Sequence, residues 1–229
     1  MRCRVRALLC AVPVLLALAL FTTACGSSSS NGTKIRLVNA MPDETSLDLL
    51  VDTKSVATGA TYGGATSYVG IASGSRQLEI EPTGTSTILI TRTDTIASGS
   101  TLTLLSLNFS FVPSSVLLTD DNSAPTSGNF KLRIVNASPG MGTQDVYIVP
   151  DGTDIGSVDP TFSSMAFGDV STYSSLAAGD YHVVFAVPGQ KFITLDSGKL
   201  TYAAGQIRTG LGLNNLVTAF QYSQLSDVN

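Results

Sequence analysis

Few side chains in this 229-residue sequence could do chemistry. The single histidine, His182, lies in YHVVFAV, where alternating apolar residues predict a strand and place the imidazole on its outward face. A general base needs a positioned partner, and neither a Gly-x-Ser-x-Gly elbow nor a His/Cys metal spacing accompanies this histidine. We therefore predict that His182 is a solvated strand residue, and that the chain has no cofactor and is not an enzyme.

Aspartates also cluster without the order that a calcium loop requires. The stretch DGTDIGSVD holds Asp151, Asp154 and Asp159, but it does not follow the D-x-[DN]-x-[DN]-G order of an EF-hand. Aspartate and glycine are usual turn residues. The sequence therefore predicts turns and no metal site.

Two charged pairs recur with one spacing. Arg36 and Asp48 are 12 residues apart, and so are Arg133 and Asp145. If the flanking strands form an antiparallel hairpin that turns near Pro42, the two members of a pair lie opposite one another on the outer face. The sequence predicts a structural ion pair in each hairpin, and such a pair contributes about 0–1 kcal/mol.

The elements that would position these residues have a period of two. Apolar and polar residues alternate in RQLEIE and YHVVFAV, and clusters of Gly, Ser, Asn and Pro separate such runs. This pattern predicts an all-β fold of antiparallel, immunoglobulin-like (Ig-like) β-sandwiches with about seven strands each. An up-and-down barrel is the alternative.

The chain contains an internal duplication. KIRLVNAMP from Lys34 and KLRIVNASP from Lys131 agree at six of nine positions, and a second block aligns from Tyr62 and Phe167. The second copy has about eight additional residues around PDGTDIGSVDP. A repeat of about 90 residues has the size of an independent domain. We predict two tandem domains, at 34–119 and 130–222, with a linker at 120–129 and a C-terminal tail at 223–229.

Residues 1–24 have the features of an export signal. Three arginines precede an apolar run at 7–21, and small residues follow it. As a helix the 15-residue run would span about 22 Å, short of the ~30 Å of a bilayer core, which favours a cleaved signal over a membrane anchor. Removal of the signal changes the formal charge from −4 to −7. An acidic body argues against nucleic acid as a partner.

The residues TTAC, ending at Cys25, resemble the lipobox of bacterial lipoproteins. The resemblance implies cleavage between Ala24 and Cys25, acylation of Cys25, and attachment to a membrane through its acyl chains. Residues 25–33 would then form a flexible tether. Gly26, which is not an aspartate, favours the outer membrane if the organism has one. Ordinary cleavage nearby, leaving Cys25 as a free thiol, is the alternative.

The repeated unit itself resembles a known family. IRLVNA followed by PD and LDL, and later Y..L.AG.Y.V, is similar to the DUF4397 family of secreted bacterial β-domains, as two copies over residues 34–222. The resemblance implies a fold and a compartment but no chemistry. We expect a non-catalytic binding or structural module of the cell envelope, with an envelope protein or a glycan as partner. The alternative is a carboxylate-dependent hydrolase of envelope polysaccharide.

Overall fold

The computed structural model describes residues 32–215 and 219–228. Strands dominate this part of the chain, which also contains one short 3-10 turn at Ile155–Ser157. The all-β prediction is therefore confirmed. None of the helical structure in the described ranges is long and apolar enough to cross a bilayer. The predicted signal at 1–24, the lipidation site Cys25 and most of the tether lie outside the described residues.

The first half of the chain forms two four-stranded sheets that face each other. Its strands are β1 (Lys34–Ala40), β2 (Ser46–Val51), β3 (Lys54–Thr61), β4 (Val69–Gly70), β5 (Gly74–Pro82), β6 (Ile90–Ile96), β7 (Thr101–Leu107) and β8 (Ser114–Thr119). The sheets have the orders β4-β1-β7-β8 and β3-β2-β5-β6. Leu37 and Leu104 from the first sheet share one apolar core with Leu49 and Leu78 from the second.

The second half repeats this arrangement. Its strands are β9 (Asn129–Asn136), β10 (Gln144–Pro150), β11 (Phe162–Met165), β12 (Ser174–Ala177), β13 (Gly179–Ala186), β14 (Ile193–Asp196), β15 (Leu200–Tyr202), β16 (Ile207–Asn215) and β17 (Ala219–Ser226). The sheets have the orders β12-β9-β16-β17 and β11-β10-β13-β14, and β15 also pairs with β13. The same strand order therefore recurs, as expected for a duplicated sandwich.

The predicted hairpin between β1 and β2 is wrong. β1 pairs in parallel with β7, whereas β2 pairs with β3 and β5 in the facing sheet. The equivalent strands β9 and β10 are divided between two sheets in the same way. Arg36 therefore cannot pair with Asp48, nor Arg133 with Asp145, because the chain crosses to the other sheet between the two members of each pair.

The two domains pack through their inner sheets. Val38 and Leu105 of the first domain belong to the same buried apolar cluster as Val135 and Leu211 of the second. Alternate side chains of β1 therefore enter the domain core and the interface, which explains why β1 is buried on both faces. The result is four sheets separated by three apolar layers.

The start of β1 and the end of β17 lie at one end of the body, and the β7–β8 and β16–β17 hairpins lie at the other. Arg36 near the start of β1 contacts Asp227, which follows β17. Tyr62 bridges to Asn39 near the other end of β1 and donates a hydrogen bond to Asn214 near the end of β16. The β7–β8 and β16–β17 hairpins therefore lie at one end of the body, about 20 Å along the strands from the end where β1 begins.

Two predicted boundaries need correction. β17 continues to Ser226, so most of the predicted tail at 223–229 is part of a sheet. Asp120, which the sequence assigned to the linker at 120–129, is buried between the domains. The linker boundary is wrong because a polar residue that is buried between the domains looks like a loop residue in the sequence. The tail boundary is wrong because the half-exposed end of an edge strand is also polar.

Candidate functional site

Arg36 crosses from the first domain into the second. Its Nη2 donates to Asp227 Oδ1 at 2.5 Å, and the side chains are 2% and 0% exposed. Its Nε donates to Thr103 Oγ1 at 2.8 Å, and its guanidinium lies 4.7 Å from the ring centroid of Tyr68. The arginine is thus enclosed by its own domain and neutralised by the other.

Arg133 makes the reciprocal contact from the second domain. Its Nη2 donates to Asp120 Oδ1 at 2.7 Å, and its guanidinium lies 4.7 Å from the ring centroid of Tyr173. Each aspartate also accepts hydrogen bonds from a tyrosine and a threonine of its own domain. Burial raises the pKa of the two phenols, Tyr68 and Tyr173, which keeps them protonated as donors.

The predicted partners of these arginines have other roles. Asp48 Oδ1 accepts from the amide of Gly59 at 2.8 Å. Asp145 accepts from the amides of Ser164 and Gly189, at 2.8 and 2.9 Å. Each carboxylate therefore organises neighbouring backbone. The arginines and their true partners form a buried network between domains, which is a structural role.

A different region, in the second domain, contains a cleft of about 400 Å³. The cleft lies on the outer face of the outer sheet, where His182 and Val184 of β13 point away from the core. One wall is formed by Asp151, Thr153 and Ile155. These residues belong to the segment 151–161 between β10 and β11, which contains the additional residues of the second copy.

Specific contacts hold this inserted segment on the sheet. Ile155 joins the outer apolar cluster of Val149 and Val184. Asp154 caps the 3-10 turn by accepting from the amide of Gly156 at 2.8 Å. Lys191 Nζ donates to the carbonyl oxygen of Ile155 at 2.9 Å and also to that of Val158. The segment is therefore an ordered wall with its own small core.

His182 lies on the polar side of the cleft between two carboxylates. Its Nδ1 is 2.8 Å from Asp196 Oδ1, and its Nε2 is 3.0 Å from Asp151 Oδ1. The imidazole points outward, as its strand position predicts, but two carboxylates hold it and it is only 24% exposed. The hydrogen bond with Asp196 raises the pKa of His182 above its ordinary value.

Lys199 adds a positive charge beside the carboxylate of Asp151. Its Nζ is 3.1 Å from Asp151 Oδ2 and 2.7 Å from Asp180 Oδ2. The hydrogen bonds from Lys199 and then His182 lower the pKa of the Asp151 carboxyl. Aliphatic side chains of Val149, Val184 and the half-exposed Ile193 form the rest of the cleft. The cleft therefore presents charged hydrogen-bonding groups beside an aliphatic floor.

The first domain lacks these features. Only Asp52 and Thr53 connect β2 to β3, where the second domain has residues 151–161. Gln77 occupies the strand position that corresponds to His182, and it donates to Glu79 at 2.9 Å. The cleft is thus a difference between the two copies and not part of their shared scaffold.

An exposed aromatic patch lies at the tip of the β7–β8 hairpin. Phe109 and Phe111 stack with ring centroids 5.5 Å apart, and Phe111 is 81% exposed. Asp43 fixes the tip by accepting from the amide and hydroxyl of Ser110. The half-exposed Val112 lies beside these two rings.

Metal binding has no structural support in the described part of the chain. There, no group of three or more His, Cys, Asp or Glu side chains could hold an ion.

Two of the buried aspartates have a signal in the sequence, and Asp196 has none. Asp120 and Asp227 follow β8 and β17 at equivalent points, in LTD and LSD. Their recurrence in both copies could have identified them as arginine partners. Asp196 carries no comparable signal, because nothing in the sequence indicates that it faces His182.

The fold and the cleft thus define a two-domain β-sandwich protein with one modified copy. A family model described as "Domain of unknown function (DUF4397)" matches residues 33–147, half of the chain, and the protein belongs to that family. No curated protein sequence matches the chain.

Several solved structures show weak similarity. One comes from a study of α-glucan binding by a streptococcal virulence factor. It is 9% identical to this chain, the alignment covers 78% of this chain and 92% of that chain, and the TM-score is 0.27. Another, a family CBM26 module of Eubacterium rectale Amy13K in complex with maltoheptaose, has 11% identity, coverages of 85% and 96%, and a TM-score of 0.27. Such scores carry no conclusion about this chain.

Proposed function

We propose that this protein is a cell-envelope lipoprotein whose two DUF4397 domains form one non-catalytic binding body, and that the cleft of the second domain binds a glycan. The observation that carries the proposal is the segment 151–161. It is the main departure between two otherwise equivalent domains, and it builds a cleft where charged side chains converge. Binding residues are commonly carried by loops on a rigid scaffold.

The lining of the cleft suits a polyhydroxylated ligand. Sugar hydroxyls donate to carboxylates, which Asp151, Asp154 and Asp196 supply. The C–H faces of a sugar ring can pack on the aliphatic floor. The cleft volume of about 400 Å³ also falls within the roughly 300–1,000 Å³ of small-molecule sites. A short stretch of an envelope polysaccharide fits this chemistry.

A binding role is favoured over the alternative of hydrolysis. A glycoside hydrolase needs one carboxyl group that holds its proton, which requires a raised pKa. Lys199 and His182 have the opposite effect on Asp151, whose pKa they lower.

The anchor is proposed from the sequence around Cys25. An acylated cysteine with more than one chain anchors stably, because each buried CH₂ contributes about 0.8 kcal/mol. Residues 25–33 could extend to about 30 Å, which would hold the body clear of the bilayer surface. The strand directions would then point the aromatic hairpin away from that surface. The outer membrane is the proposed site in an organism that has one.

The test is direct binding by the mature chain that starts at Gly26. Oligosaccharides released from envelope polysaccharide are titrated calorimetrically into the wild type, Asp196→Ala and the control Asp52→Asn. Asp52 is an exposed aspartate of the first domain that pairs with Arg76, so its substitution makes a comparable charge change away from the cleft.

We expect saturable binding that Asp196→Ala weakens at least tenfold and Asp52→Asn leaves unchanged. Binding that survives Asp196→Ala, or a complete lack of binding by the wild type, contradicts the proposal. Release of reducing ends during the titration would instead favour the hydrolase.

A further inference from the structure

The only histidine of the chain contacts a carboxylate through each of its ring nitrogens. A neutral imidazole carries one N–H, and a protonated imidazole carries two. Both contacts can therefore be hydrogen bonds only while His182 is protonated. Asp151, one of the two partners, is the first residue of the inserted segment, whereas Asp196 ends β14.

We infer that His182 is a proton-controlled clamp that holds the Asp151 carboxylate beside Asp196 and thereby sets the shape of the polar side of the cleft. The consequence for ligand binding rests on the function proposed above. The clamp itself requires no ligand.

The groups around the imidazole determine which contact is lost. Asp196 Oδ1 also accepts from the amide of Gly198 at 2.9 Å, which fixes that carboxylate in place. Asp151 has a second partner in Lys199, which Asp180 also contacts. A neutral His182 therefore keeps its proton on Nδ1, toward Asp196, and the Asp151 carboxylate loses the imidazole and turns toward Lys199.

The release is confined to the first residues of the segment. Lys191 holds the carbonyl oxygens of Ile155 and Val158, and it does not depend on His182. Asp154 lies in the same cleft and is occupied by the amide of Gly156. The amide of Asp151 also donates to the carbonyl oxygen of Asp180 in β13 at 3.0 Å, so the backbone of Asp151 stays on the sheet. The release therefore frees the Asp151 carboxylate and shifts the turn at 152–154, while the 3-10 turn stays in place.

The direction of the pH effect follows from the pKa. Because the pKa of His182 in the folded protein is raised above 6.5, the clamp forms as the pH falls through that raised pKa and is lost as the pH rises through it. Acid therefore fixes the Asp151 carboxylate against His182, and a more alkaline medium releases it.

Solution NMR on the mature chain from Gly26 tests the clamp without a ligand. The ¹⁵N shifts of the single imidazole report its protonation and tautomer, and the backbone amides of residues 151–154 report the segment. Spectra are recorded from pH 5 to pH 9 for the wild type, His182→Gln and Asp52→Asn. His182→Gln places at this position the residue that the first copy has in Gln77, so the fold can accommodate it.

We expect a His182 midpoint above 6.5, a neutral form protonated at Nδ1, and amide changes at 151–154 with the same midpoint. His182→Gln should abolish those amide changes, and Asp52→Asn should preserve them. A midpoint at or below 6.5, amides that do not follow the imidazole, or amide changes that persist in His182→Gln each overturn the inference. Failure to bind glycans would refute the proposed function and leave these outcomes unaffected.

Discussion

Replacing Asp227 by asparagine tests the interdomain network. The substitution removes the charge that neutralises Arg36, which is 2% exposed and cannot reach water without disrupting the interface. Loss of one member of a buried ion pair costs about 3–5 kcal/mol, because the remaining charge stays buried. For a chain of this size that corresponds to a fall of roughly 6–20 °C in the melting temperature.

A double-mutant cycle separates this effect from a general loss of packing. Guanidinium unfolding is measured for Asp227→Asn, Arg36→Met and their combination, and again with Asp48→Asn in place of Asp227→Asn. Arg36 should couple to Asp227 by about 1.5–3 kcal/mol, because the two side chains share a hydrogen bond. Its coupling to Asp48, in the facing sheet, should stay within about 0.5 kcal/mol.

Two results would refute this reasoning. Coupling of Arg36 to Asp48 that exceeds its coupling to Asp227 would restore the local hairpin. A stability change below about 0.5 kcal/mol for Asp227→Asn would mean that the interface does not bury the arginine.

Three further predictions concern packing, charge and anchoring. Gly212→Ala should cost about 1–3 kcal/mol in urea unfolding, because the new Cβ would lie 2.9 Å from Phe185 Cζ; Gly179→Ala, with its nearest contact at 3.6 Å, should cost less. A hydrogen bond from Lys131, followed by two from Ser123, lowers the pKa of Asp121 to about 2. Asp121→Asn should therefore cost under about 1 kcal/mol at pH 7, and the difference should disappear as the pH falls from 3.8 to below the folded pKa. Cys25→Ala should move the expressed protein from the detergent phase to the aqueous phase in cloud-point partitioning.

One result would contradict each of these predictions. Equal stabilities of the two glycine variants would mean that β16 has room beside Phe185. A cost of Asp121→Asn that persists below pH 2 would assign it to packing. Wild-type protein recovered in the aqueous phase would remove the anchor.

The local sequence pattern was sufficient to predict the β-strands but not to predict which strands pair with each other. Alternation in RQLEIE and YHVVFAV predicted strands, and these residues lie in β5 and β13. The spacing between Arg36 and Asp48 suggested a local hairpin, but β1 pairs with β7, and Arg36 contacts Thr103, 67 residues away. Parallel pairing between distant strands leaves no mark at short range, so the correct partners could not be read from spacing.

The candidate site was predictable only in part. The offset between the two repeats located the additional residues near Asp151, but only the fold shows that they cover the outer sheet and reach His182. The exposure of Phe111 likewise follows from the fold, because β8 turns back after the hairpin and leaves this residue without a neighbouring strand.

Chemical-shift mapping of an envelope oligosaccharide on the ¹⁵N-labelled mature chain is the most direct test of the account. The account predicts shifts confined to residues 149–155, 182–184 and 193–196, which comprise the lining of the cleft and its neighbours along the chain. Shifts centred on the aromatic hairpin at 109–112, shifts spread over both domains, or no shifts at saturating oligosaccharide would contradict it.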